Sequence, residues 1–113
     1  MDHVQISTTV RTKDDAMAIA KSIVEARLGA CVQVLGPITS TYWWDGRVQV
    51  DEEWTCVART IGELTDRVLE HISDLHPYDN PELAVVPIVG GTDEYLEWIN
   101  DEVSAAVRRP ETT

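Results

Sequence analysis

The side chains able to do chemistry in this chain of 113 residues are two thiols, three imidazoles and a large surplus of carboxylates. Cys31 and Cys56 stand alone, without the C-x-x-C spacing of a zinc or redox motif. His71 and His76 are five positions apart, beyond the three or four that align side chains on one helix face. A metal could draw ligands from Cys31, Cys56, His3 and His76, with Asp51, Glu52, Glu53 and Glu82 as the acidic candidates. Thiolate and imidazole suit copper or zinc; carboxylates suit harder ions. Each group also has a structural reading. Cys31 serves as a small apolar residue at a strand start, and Cys56 as a buried one on an apolar face. His76 serves as the organiser of its own turn, and Asp51-Glu52-Glu53 as a solvated strand edge whose charge deters edge pairing.

Enzymatic chemistry has little to build on. The glycines at 29, 36, 46, 62, 90 and 91 have none of the spacings that cradle a pyrophosphate. Gly90-Gly91-Thr92 opens a helix, but Asp93 and Glu94 already occupy its positive end. No serine sits in a G-x-S-x-G elbow, and neither cysteine lies in a nucleophile signature. The expectation is a non-enzyme without an organic cofactor.

Nine basic against twenty acidic residues give a formal charge of -11, which opposes phosphate backbones and anionic lipid. Nucleic acid and membrane are therefore not expected as partners, whereas cations are attracted. No run approaches the roughly 20 apolar residues of a membrane span, and the first residues lack a basic start and apolar block. A cytoplasmic protein with two free thiols is the expectation.

The elements that must position these groups follow from pattern. Val4, Ile6, Thr8 and Val10 alternate as one strand face, and Thr12 with Asp15 forms a helix cap. Ala16, Ile19, Ala20, Ile23, Val24 and Leu28 follow at helical spacing, with Gly29 as the stop. Residues 30–44 and 47–59 read as the two arms of a hairpin, with Gly36-Pro37 marking a bulge or an edge. Thr60-Ile61-Gly62-Glu63 is the pattern of a second capping box before the Leu64, Val68, Ile72, Leu75 stripe. His76 to Pro81 is a loop, Leu83 to Val89 reads as a central buried strand blemished by Pro87, and Thr92 caps a last helix. A tail from Arg108 to Thr113 is expected to fray. The order β-α-β-β-α-β-α predicts one α+β domain over residues 1–113: a ferredoxin-like βαββαβ sandwich with an extra C-terminal helix.

The hairpin is overlong. Tyr42-Trp43-Trp44 runs straight into Asp45-Gly46, a strong signal for a two-residue turn. In simple register the numbers of paired residues sum to 91. One face then carries Leu35, Trp43, Val48, Val50, Trp54 and Cys56, and the other Val32, Val34, Ile38, Tyr42, Trp44 and Val57. Arg59 falls opposite Val32, on the face of Asp51 and Glu53, where its fork needs a carboxylate or an anionic ligand. Helices of some 15 residues, about 22 Å long, cannot cover both faces of such arms. Cover from sibling subunits is expected.

These residues resemble the CutA family of divalent-cation tolerance proteins. The carriers are Ala30-Cys31-Val32, Pro37 with Tyr42, Trp44 and Gly46, then Glu53, Arg59-Thr60, His76-Pro77-Tyr78 with Pro81-Glu82, and Tyr95-Leu96-Glu97-Trp98. The resemblance implies a homotrimer with hairpins reaching onto neighbours, and a role in tolerance of divalent metals, copper in particular. It implies Cys31 as a metal ligand; His76 is the second metal candidate on the residue reading above. It also implies a cleft between subunits built from Tyr42, Trp44, Glu53, Arg59, His76, Tyr78 and Glu82. An alternative is a trimeric small-ligand or signalling module of PII-like architecture using that cleft, with Arg59 and His76 suited to an organic anion. This chain departs from the family pattern at Gln33, where asparagine is frequent, and at Arg59, where lysine is usual.

Overall fold

The computed structural model describes residues 2–109. Eight residues of alternating burial form β1 (His3–Val10), whose even-numbered side chains are buried. Helix α1 (Lys13–Glu25) starts as expected: the Thr12 hydroxyl accepts the Asp15 amide at 3.0 Å. It ends earlier than Gly29. Arg27 adopts φ 61°, and the amides of Arg27 and Leu28 close onto the carbonyls of Val24 and Ile23. That paired closure is a Schellman stop built on arginine, with Leu28 folded back into the core cluster that holds Ile23.

The hairpin consists of β2 (Cys31–Trp44) and β3 (Arg47–Ile61), joined by Asp45 at φ 52° and Gly46 at φ 73°. Positive φ at both central residues is the twist that matches hairpin strands, as the Asp-Gly pair predicts. From Ile38↔Glu53 to Trp44↔Arg47 the register is the simple one. Below the interruption at Gly36-Pro37 it slips by one, so Cys56 faces Val34 rather than Leu35, and Arg59 faces Cys31 rather than Val32. The slip exchanges faces: Val32 and Val34 pack against the core beside Cys56 and Leu35 is half exposed, whereas the simple register grouped Leu35 with Cys56.

The chain then makes a 3-10 turn (Gly62–Leu64) before α2 (Thr65–Leu75). The expected capping box does not form. Thr60 ends in the β3 ladder opposite Val4, its hydroxyl buried without a partner among the described residues, and neither helical start has a side-chain cap among them. Strand β4 (Ala84–Pro87) is four residues long and sits at the sheet edge in the order β2-β3-β1-β4. The apolar run therefore builds a short edge strand, not a central buried one; Pro87 lacks the donor that a further neighbour would need. Helix α3 (Asp93–Arg108) is capped by Thr92 and tied down by Arg67, whose guanidinium donates to the Ala106 carbonyl at 2.6 Å. Of the tail expected to fray, Arg108 closes α3, and residues 110–113 lie outside the described residues.

This is the ferredoxin-like antiparallel sheet with helices against one face. Its core gathers Val4, Ile6 and Val10 with Ile19, Ile23, Val68, Ile72 and Val103. β1 pairs with β3 only from Trp54 to Ile61. Above Trp54 the hairpin continues as a bare two-stranded ribbon, about seven residue pairs or roughly 23 Å long.

Candidate functional site

At the base of that ribbon the loop after α2 folds back on β3. The imidazole of His76 is buried, with Nε2 at 2.8 Å from the Thr9 carbonyl oxygen and Nδ1 accepting the Tyr78 amide at 3.1 Å. A carbonyl can only accept, so the proton is on Nε2 and both ring nitrogens are spoken for. His76 acts here as a loop anchor, and a metal ion on it would have to displace one of these bonds.

Anchoring His76 places Tyr78 over β3. Its hydroxyl donates to Glu53 Oε2 at 2.9 Å, and its ring meets the His76 ring edge-on at 4.7 Å. Burial, then the Glu53 hydrogen bond and charge, push the phenol up from 10.0 to about 12. Glu53 is only 7 % exposed. One turn of pleat further out, the Tyr42 hydroxyl donates to Asp51, and this bond is the first cause of its raised pKa.

The space in front of these residues is a cleft of about 950 Å³. Tyr42, Trp44, Glu53, Tyr78 and Glu82 all line it, as do Trp43, Arg11, Asp15 and Asp79. None of the last four was assigned to the cleft from the sequence, although Trp43 stood out in the hairpin and Asp15 in the Thr12 cap. Arg11 adjoins the Thr12 cap and Asp79 lies in the recognised loop, so position relative to turns was the available signal. The Arg11 guanidinium carbon stands 5.9 Å from the Tyr78 ring centre.

Within the single chain, two of the residues grouped with the inter-subunit cleft do not line this space. His76 is buried behind its wall. Arg59 is six residues further along β3 than Glu53, about 20 Å away. There it donates to Gln33 Oε1 at 2.7 Å and approaches Cys31 Sγ at 3.8 Å. Within the chain one guanidinium nitrogen is taken by Gln33, because the register slip puts Cys31 and its neighbours across from it. Tyr95 closes this second group: its phenol is raised first by burial and then by Cys31, and it stacks on Trp98 at 6.0 Å.

Cys31 and His76 are not neighbours. Thr9, which anchors His76, pairs with Thr55, whereas Cys31 pairs with Arg59, four residues or about 13 Å along β3 and on its other side. Both cysteines are free, and burial pushes the Cys56 thiol up from 9.0 to about 11. His3 bonds Asn100 and His71 bonds Ser22. Among the described residues no three His, Cys, Asp or Glu side chains converge on a point one ion could occupy.

A split βαβ subunit with an overlong aromatic hairpin and an acidic cleft at its base defines a class of small α+β proteins. The comparisons give that class its family: the chain belongs to the CutA1 divalent ion tolerance proteins, whose family pattern matches residues 4–102. It is 39% identical over 98 residues to a rice protein named Protein CutA 1, chloroplastic, covering 87% of this chain and 55% of that protein. The divalent-cation tolerance protein CutA of Thermus thermophilus is 39% identical over 93 residues, 82% of this chain and 90% of its own. The crystal structure of CutA from Xylella fastidiosa superposes with a TM-score of 0.88 at 33% identity, over 91% of this chain and 99% of that one.

Proposed function

We propose that the chain works as a non-enzymatic homotrimer in the handling of divalent metal, with copper the first candidate cargo and zinc the second. One observation carries the trimer. Trp43 is 74% exposed and Trp44 53%, on opposite faces of the ribbon, with Val48, Val50 and Ile38 exposed beside them. An apolar surface of this kind on both faces and one open edge is ordinarily covered by protein.

Metal binding rests on family membership together with the scatter of ligands. A zinc or copper site usually needs three or four donors. Single subunits offer them singly, so a site is assembled by pooling side chains of several subunits, with Cys31 as the soft donor and carboxylates around it. His76 joins only if it exchanges a hydrogen bond for the ion. Two unpaired thiols support a reducing, cytoplasmic setting. Calorimetric titration with Cu and Zn ions tests the reading. Stoichiometric binding weakened in Cys31→Ala is expected; binding unchanged in both Cys31→Ala and His76→Ala discards these ligands.

A second reading, the PII-like ligand module, is favoured by the cleft itself. Its volume is that of a small-molecule site, and four aromatic rings, those of Tyr42, Trp43, Trp44 and Tyr78, stand among its polar groups.

A further inference from the structure

A closed ring of three chains joins unlike surfaces: the patch that one subunit offers is met by a different patch of the next. The ribbon therefore needs its acceptor elsewhere on the same fold. The core lies on one face of the sheet, with Val4, Ile6, Cys56 and Ala58. Odd-numbered residues of β3 point to the other face, Glu53 at the base of the ribbon and Arg59 in the body of the sheet. Strand pairing sets Cys31, Arg59, Gln5 and Val86 in one row across that second face, and none of the four is fully buried.

Two opposite charges on this face are only half met within one chain. Tyr78 donates to Oε2 of Glu53; Oε1 receives no hydrogen bond, and the carboxylate has no ion pair, among the described residues. Arg59 spends one nitrogen, Nη1, on Gln33 and Cys31, and the rest of its five-donor fork has no partner among the described residues. Six residues of strand, about 20 Å, keep the two apart in their own subunit. Other cations are engaged elsewhere: Arg27 with Glu102, Arg67 with the end of α3, and Arg11 and Lys13 against aromatic rings. Arg47 shares the face but stands at the exposed tip. Resting on the homotrimer proposed above, we propose that Arg59 of each subunit reaches Glu53 of the neighbouring subunit and closes the base of its ribbon with an ion pair. A guanidinium suits the free carboxylate oxygen, and a carboxylate this little exposed gains from a counter-charge brought to it. The cleft around Glu53 is then incomplete until the next chain supplies its arginine.

The test is a double-mutant cycle read on the assembly, with the mass of the full chain followed by light scattering along a dilution series in urea. Arg59→Gln and Glu53→Gln are each expected to raise the chain concentration at half-dissociation about tenfold or more. The double variant should lose little beyond either single one. Arg59→Lys keeps the charge and retains most of the assembly. Arg47→Gln, an equal loss of positive charge on the same face, leaves it unchanged. Glu53→Gln keeps an acceptor for Tyr78 and Arg59 is only partly buried, so both variants are expected to fold, which circular dichroism checks. Additive losses, no loss, or as large a loss in Arg47→Gln overturns the pairing while the trimer stands. The mass of a single chain for the unaltered protein removes the trimer itself, and the pairing with it.

Discussion

Gly36 lies against the indole of Trp54 so closely that a β-carbon there would stand 2.5 Å from Cε3 and 2.6 Å from Cδ2. The bulge is thus built around a ring: Trp54 fills the space where β2 breaks step, and Lys13 Nζ lies 5.7 Å from the centre of the same ring. Gly36→Ala forces the indole or the strand to move. A loss of about 1–3 kcal/mol is expected, read as a lower urea midpoint with unchanged slope.

Tyr78→Phe removes the donor that holds the buried Glu53 carboxylate. Hydrogen bonds to charged groups contribute about 1.5–3 kcal/mol, and a cost in that range is expected. In a double-mutant cycle with Glu53→Gln, the two losses should fall short of additivity; strict additivity would mean that the two side chains act independently.

Alkaline stability follows from two raised pKa values. The folded Cys56 thiol titrates at about 11 against 9.0, and the Tyr78 phenol at about 12 against 10.0. Both groups are neutral when protonated, so the unfolded chain releases their protons first as pH rises. Their contribution is complete below pH 9, falls from 9 to 11 for Cys56 and from 10 to 12 for Tyr78, and is then gone. Denaturant midpoints measured across this range should be level below pH 9 and decline above it. Cys56→Ala should abolish the earlier part of the decline.

Thr60 offers the opposite kind of test. Its side chain is fully buried and its hydroxyl has no partner among the described residues. Thr60→Val replaces an unsatisfied polar group with an isosteric apolar one. A neutral effect or a gain of up to about 1 kcal/mol is expected on thermal denaturation; a loss of that size would show that the hydroxyl is bonded.

What the sequence revealed was local and chemical. Thr12 and Thr92 cap, Asp45-Gly46 turns, and the order of elements follows from their periods because each signal depends on residues close in the chain. The failures are tertiary. Gly36-Pro37 announced a break, but the close approach of Gly36 to Trp54 and the slip of the inner arm by one, which sets Arg59 across from Cys31 rather than Val32, depend on packing that the sequence does not spell out. Thr60 matched a cap pattern, yet pairing with Val4 kept it in the strand. Leu83 to Val89 looked central because apolarity does not distinguish a covered edge from a buried middle. That the Thr9 carbonyl and the Tyr78 amide take both nitrogens of His76 was likewise not legible in the sequence.

The central claim is that the exposed indoles of Trp43 and Trp44 are covered by sibling chains. Light scattering on the purified protein at micromolar concentration measures this most directly. The account predicts the mass of three chains of 12.6 kDa, falling in Trp43→Ser and Trp44→Ser; a mass of one chain, with both indoles shielded from a fluorescence quencher, would contradict it.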